Sequence, residues 1–139
     1  MRLFLNANVL FTAAHNPEGR AAGLLALARQ GTCRLLSSPH AVEEARRNLK
    51  LKYPAAGEVL ERLLTDVAVG GEAPPSVVAW ALGQGLPPKD APVLAAAVHA
   101  RADVLVTGDR THFGALYGRS LEGVLVLSPA EALARLIAS

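Results

Sequence analysis

The chain has 139 residues, 51% of them hydrophobic, 19% charged and only 4% aromatic, with a formal net charge of +2. At roughly 100–200 residues per domain this is the length of one domain, 1–139, with apolar residues enough for its own core and far from the composition of a disordered chain. So few aromatics exclude the stacked-base platforms of single-strand binders, and the single cysteine, Cys33, excludes an internal disulfide framework and leaves a Cys-based zinc site without ligands.

Residues 2–6 (Arg-Leu-Phe-Leu-Asn) are a short apolar run ending in polar Asn6 and Asn8, the pattern of a buried strand. Asn16-Pro17-Glu18 has the chemistry of a helix start, and apolar residues then run to Gly31, a stop. Residues 34–37 predict a second strand, and Ser38-Pro39 opens a helix carrying Val42, Glu43, Glu44 and Leu49. Pro54 starts another helix, on which Glu58 and Arg62 stand at i,i+4 spacing. Val67-Ala68-Val69 is a third strand stopped by Gly70-Gly71, and 75–83 a helix. Asp90-Ala91-Pro92 starts the next helix, which runs to His99. Asp103-Val-Leu-Val-Thr107, closed by Gly108-Asp109, and Gly123-Val-Leu-Val-Leu127 are the fourth and fifth strands. Ser128-Pro129-Ala130-Glu131 has capping-box spacing at the head of a C-terminal helix.

Short continuous apolar strands alternating with helices predict an α/β protein: a three-layer α/β/α sandwich around a short five-stranded parallel sheet, Rossmann-like in its layering. The chain starts directly in a strand and has no apolar run near 18 residues, so the expectation is a cytoplasmic protein without a membrane segment.

In open sheets of this kind ligands bind beyond the carboxyl ends of the strands, near the point where strand order reverses. Asn6 ends strand one, Asp109 follows strand four, Asp90 heads the helix feeding strand four, and Glu44 lies early in the helix after strand two. If strands one and four are neighbours, these positions share one rim. Three carboxylates held together repel, and a cation is the usual compensation. All-oxygen donors favour Mg2+ or Mn2+ over zinc. Glu43 points about 100° away from Glu44 round its helix, so only one of the two can face the site. His40, His99 and His112 are scattered without HExxH spacing, which argues against a histidine-based metal site, although His112, just past Asp109, is placed to touch a substrate. The charge is uneven: residues 1–70 hold nine basic and six acidic groups, and Arg46, Arg47, Lys50 and Lys52 form a local cluster that could steer a nucleic-acid backbone.

The same residues resemble a known family. Leu3-Phe4-Leu5-Asn6-Ala7-Asn8-Val9-Leu10 resembles the opening of PIN domains, an apolar strand ending in Asp-x-Asn. Glu43-Glu44-Ala45-Arg46-Arg47-Asn48-Leu49 is similar to the second motif, Asp90-Ala91-Pro92-Val93-Leu94-Ala95-Ala96-Ala97 to the third, and Ala102-Asp103-Val104-Leu105-Val106-Thr107-Gly108-Asp109 to the fourth, an apolar strand ending in Thr-x-Asp. The motifs stand in the family's order and cover most of the chain.

The resemblance implies a PIN fold and a Mg2+- or Mn2+-dependent ribonuclease acting on single-stranded RNA, a class that includes VapC-like toxins of toxin–antitoxin pairs. By position, Asn6, Glu44, Asp90 and Asp109 would form the catalytic and metal-holding set, with Asn8, Thr107, Arg46 and Arg47 toward the substrate. Partners would be RNA, an antitoxin protein and, given the apolar excess, a second copy of the chain. An apolar groove near Leu24, Leu25 and Leu60 would accept a partner helix.

One position departs from the pattern. Where the family has its first Asp this chain has Asn6, which keeps an oxygen acceptor but not the charge. Three accounts fit: a change introduced to silence a nuclease, a chain that binds RNA or a partner without cutting, or a site in which three acids suffice. A haloacid-dehalogenase-like phosphatase also opens on Asx-x-Asx, but its nucleophile must be Asp and its helical cap has no room here. A receiver-like domain lacks its Lys after a late strand.

Overall fold

A computed structural model describes residues 1–138. The strands are β1 (Arg2–Leu5), β2 (Arg34–Ser37), β3 (Val67–Val69), β4 (Val104–Val106), β5 (Ser120–Leu121) and β6 (Val124–Leu127). The helices are α1 (Ala7–His15), α2 (Arg20–Arg29), α3 (Pro39–Lys52), α4 (Gly57–Leu64), α5 (Pro75–Leu82), α6 (Ala91–His99), α7 (Arg110–Phe113) and α8 (Pro129–Ala138).

The strands are apolar throughout because both faces of the sheet are covered. Side chains alternate between two cores. Leu3 and Leu5 of β1, Leu35 of β2, and Val104 and Val106 of β4 enter one core with α1, α2, α3, α4 and α8. Phe4, Leu36 and Leu105 point the other way, into a core closed by α5, α6 and Phe113. Each fully buried Leu contributes about 2 kcal/mol by leaving water, so two such cores hold the sheet without many aromatics. The architecture is therefore α/β in three layers. No helix among the described residues is long and apolar enough to cross a membrane.

The sheet order is β3-β2-β1-β4-β6-β5. β1 pairs in parallel with both β2 and β4, with Phe4 opposite Leu36 on one side and Leu105 on the other. The chain moves outward from β1 first to one side, then returns to β4 on the other. The switch in strand order thus falls between β1 and β4, and a crevice opens beyond their carboxyl ends.

The sheet has six strands, not the five expected, and it is mixed. β5 is a two-residue strand antiparallel to β6. Glu122 and Gly123 join them with φ of 49° and 84°, the two positive values that a tight two-residue hairpin turn requires. Only Gly123 announces such a turn in the sequence, since Glu rarely takes that conformation.

The second difference lies just after β1. Asn16-Pro17-Glu18 does not start a helix. Asn16 ends α1, and α2 begins at Arg20 after Gly19. Asn6 is the true start signal: its Oδ1 accepts from the Ala7 backbone N–H at 2.7 Å, and Val9, Leu10, Ala13 and Ala14 then form a buried stripe. Other caps follow the sequence closely. Ser38 caps α3 through Ala41 N–H, with Pro39 in the first turn. Ser128 and Glu131 form the reciprocal capping box of α8 at 3.0 and 3.1 Å, and these bonds hold the Glu131 carboxyl below its usual range.

On α4 it is Glu61, standing between Glu58 and Arg62, that forms an ion pair: it takes Arg46 from α3 in a bidentate bridge at 2.8 and 2.9 Å. Both side chains are about half exposed, so the bridge adds little stability. Leu24, Leu25 and Leu60 are fully packed inside the first core. A cavity of about 370 Å3 lies beside Leu60, lined by Arg46, Lys50, Pro54, Gly57, Glu58 and Glu61.

Candidate active site

At the carboxyl ends of β1 and β4 lies a cleft of about 650 Å3. Asn6, Asn8, Glu44, Asp90 and Asp109 all line it, as do Arg20, Lys89, Arg110 and Tyr117. The parallel pairing of β1 with β4 brings the loop after β4 against the start of α1.

The floor is organised by Thr107, which is fully buried. Its Oγ1 accepts from Asn6 Nδ2 at 3.0 Å, Asn8 Nδ2 at 3.3 Å and the Asp109 backbone N–H at 3.1 Å. Asn8 Oδ1 in turn accepts from Gly108 N–H at 2.8 Å, and Tyr117 Oη donates to the Thr107 carbonyl at 2.6 Å. Three donors meet an oxygen with two lone pairs, so the longest of the three contacts is the weakest. Loss of this hydroxyl would leave donors without partners at about 1–3 kcal/mol for each one buried. Thr107 is thus more than a good strand former: it ties the tip of β4 to the start of α1. Burial of Tyr117 pushes its phenol above the usual range.

The acids sit above this floor. Asp109 caps the short helix α7 through Oδ1, which accepts from His112 N–H at 3.0 Å. Its other oxygen, Oδ2, lies 2.9 Å from His112 Nδ1. Asp90 precedes α6 but makes no capping hydrogen bond. It is 94% buried by residue area, complementing its 6% exposure. Its Oδ2 is 3.0 Å from His112 Nδ1, without the alignment of a hydrogen bond, and both atoms are buried without a hydrogen-bond partner. Burial raises the Asp90 pKa above the ordinary value of 3.8; Asp109 and Glu44 push it further up, against Lys89 and His112.

An unpartnered buried carboxylate oxygen is costly unless something binds it. Asp90, Asp109 and His112 each offer one ligand atom, and these atoms lie within 4.8 Å of one another. Two carboxylates and an imidazole converging this closely fit one divalent cation. Glu44, on α3, also lines the cleft and adds negative charge felt by Asp90. Glu43 turns outward toward Arg46 at 3.8 Å and is solvated. Asp103 lies at the other end of β4, where its Oδ2 accepts from Arg2 N–H at 2.7 Å.

Asn6 is in place, but its oxygen accepts from Ala7 N–H and its nitrogen donates to Thr107. Its amide presents a donor to the floor where a carboxylate would present a second acceptor.

Arg46 and Arg47 do not line the cleft. Arg46 is tied to Glu61 across α3 and α4, and Arg47 is exposed on the helix surface. The cations at the rim are Arg20, Lys89 and Arg110 instead. Sequence reasoning missed them because they stand singly, on three different elements. It also argued against a histidine ligand and read His112 only as a substrate contact, whereas the ring stands with Asp90 and Asp109. The only signal was its three-residue spacing from Asp109, which acquires meaning once α7 turns it back over that carboxylate.

Comparisons with known proteins agree with the fold. A family model described as PIN domain matches residues 2–111. No curated protein matches. Among solved structures, PAE2754 from Pyrobaculum aerophilum is similar over 100% of both chains, with a TM-score of 0.69 and 23% identity. VapBC2 from Rickettsia felis, bound to a DNA fragment from its promoter, matches over 92% of this chain and 98% of that one, with a TM-score of 0.65 and 14% identity. VapC20 from Mycobacterium tuberculosis, described as a sarcin-ricin loop cleaving toxin, matches over 81% of this chain and 94% of that one, with a TM-score of 0.59 and 15% identity.

Proposed function

The chain belongs to the PIN domain family, and from that premise we propose that it is a divalent-metal-dependent endoribonuclease for single-stranded RNA, the toxin of a toxin–antitoxin pair, in a form weakened by Asn6. The observation that carries the reading is the buried, unpartnered Oδ2 of Asp90 facing Asp109 and His112 at the switch point of the sheet. The likeness to VapC20 and VapBC2 supports the toxin assignment.

Asp90, Asp109 and His112 would hold Mg2+ or Mn2+, with Glu44 and Asn6 lining the same cleft. A bound ion of this kind supplies an activated water and charge stabilisation at the phosphate in flight. Everything else falls to the chain. Arg20, Lys89 and Arg110 draw the sugar-phosphate backbone across an otherwise acidic cleft. Thr107 and Asn8 keep the loop bearing Asp109 in register with α1. Water attacks the phosphorus in line and the 3′ oxygen leaves, so the products carry a 5′-phosphate and a 3′-hydroxyl.

Asn6 favours a second reading in which the same fold binds RNA or an antitoxin without turnover. The deciding experiment incubates a 5′-labelled single-stranded RNA with the protein and Mn2+. Fragments ending in 3′-hydroxyl, formed slowly and abolished by chelation, are expected. Retention of the RNA on the protein with no cleavage, also after Asn6→Asp, would select the binding module.

A further inference from the structure

We propose that His112 Nδ1 is itself a ligand, and that this nitrogen gives the site a preference for Mn2+ over Mg2+; the inference rests on the metal-dependent reading above.

Two of the three donor spacings match neighbouring positions on one ion, and the three ligand atoms all lie within 4.8 Å of one another. Nδ1 lies 3.0 Å from Asp90 Oδ2 and 2.9 Å from Asp109 Oδ2. Neighbouring ligands of an octahedral ion bound at about 2.1 Å are separated by about 3.0 Å, the same spacing. The chain holds His112 in this position from two sides. Its backbone N–H is fixed to Asp109 Oδ1 at 3.0 Å, and Phe113 beside it is fully buried in the second core. The imidazole side chain is 31% exposed while Nδ1 itself is buried without a hydrogen-bond partner. Nδ1 thus faces both carboxylates, where its lone pair would be available to a bound ion.

The donor set decides the ion. Mg2+ seeks oxygen and gives up its water reluctantly, whereas imidazole suits first-row transition metals. Asn6 removes one negative charge that would otherwise favour a hard ion. Two carboxylates and one nitrogen are left as the close donors.

The test is Mn2+ titration of the full chain followed by electron paramagnetic resonance, with Mg2+ affinity read by competition. In His112→Ala, Mn2+ affinity is expected to fall about tenfold and Mg2+ affinity to change by less than about twofold, in the range seen for residues that tune a metal site. Pulsed measurements on the bound Mn2+ should show 14N modulation from imidazole, lost in His112→Ala and in the bulkier His112→Gln. Bound Mn2+ without 14N modulation, or equal losses for both ions, overturns the role of His112 and leaves the metal site standing. Absence of Mn2+ binding both in this chain and in Asn6→Asp overturns the metal-dependent reading beneath it as well.

Discussion

Asp90→Asn is expected to melt about 3–5 °C above the parent at neutral pH in metal-free buffer, a gain of about 1 kcal/mol, and to lose RNA cleavage by at least about a hundredfold. The two effects have one cause. Asp90 is buried, its Oδ2 has no hydrogen-bond partner, and Asp109 and Glu44 add like charge. Its folded pKa therefore lies above the ordinary 3.8. Well below 3.8 both the folded and unfolded chains carry the proton, and the carboxyl costs nothing. As pH rises through 3.8 the unfolded chain ionises first, so folding loses stability, and the loss is complete above the folded value.

The advantage of the amide should be absent near pH 3 and full at neutral pH, which thermal melts across that range would show. Saturating Mn2+ should reverse the order, because an ion that binds only the folded parent stabilises it by mass action. A variant that is less stable than the parent at neutral pH without metal would mean that Asp90 holds the fold together and is not strained for function.

Asn6→Asp is expected to act in the opposite direction. Asn6 is 3% exposed and donates through Nδ2 to Thr107, already crowded by two other donors. A carboxylate there would accept from the Thr107 hydroxyl instead, which relieves the crowding and places a further charge in the cleft. Metal-free stability should fall by about 1–2 kcal/mol, since another anion is buried near Asp90. Mn2+ affinity should rise at least about tenfold and single-turnover RNA cleavage about a hundredfold. Such an exchange of stability for activity is expected at a site selected for function. Tighter metal binding with no gain in cleavage would favour the binding module.

Much of the framework was legible because burial on both sheet faces writes continuous apolar strands: Leu3-Phe4-Leu5, Val104-Leu105-Val106 and Val124 to Leu127. The capping box of α8 and the Pro starts of α3, α6 and α8 were equally plain. The hairpin at Glu122-Gly123 was not, because a two-residue strand has no period to detect. Helix α1 was hidden by its position, an apolar run following an apolar strand with only Asn6 to divide them.

At the site, placing Asn6, Asp90 and Asp109 on one rim needed β1 and β4 to be neighbours, and they pair directly. Contacts that depend on tertiary placement were beyond local pattern. Arg46 belongs to Glu61, the rim cations come from α2, the loop before α6 and α7, and His112 reaches Asp90 from 22 positions away in sequence.

The most direct measurement of the central claim is anomalous diffraction from a crystal of Asn6→Asp protein soaked in Mn2+. The account predicts a peak within about 2.3 Å of carboxylate oxygens of both Asp90 and Asp109. A clean map with no peak in that cleft, or with manganese bound only elsewhere on the surface, would contradict it.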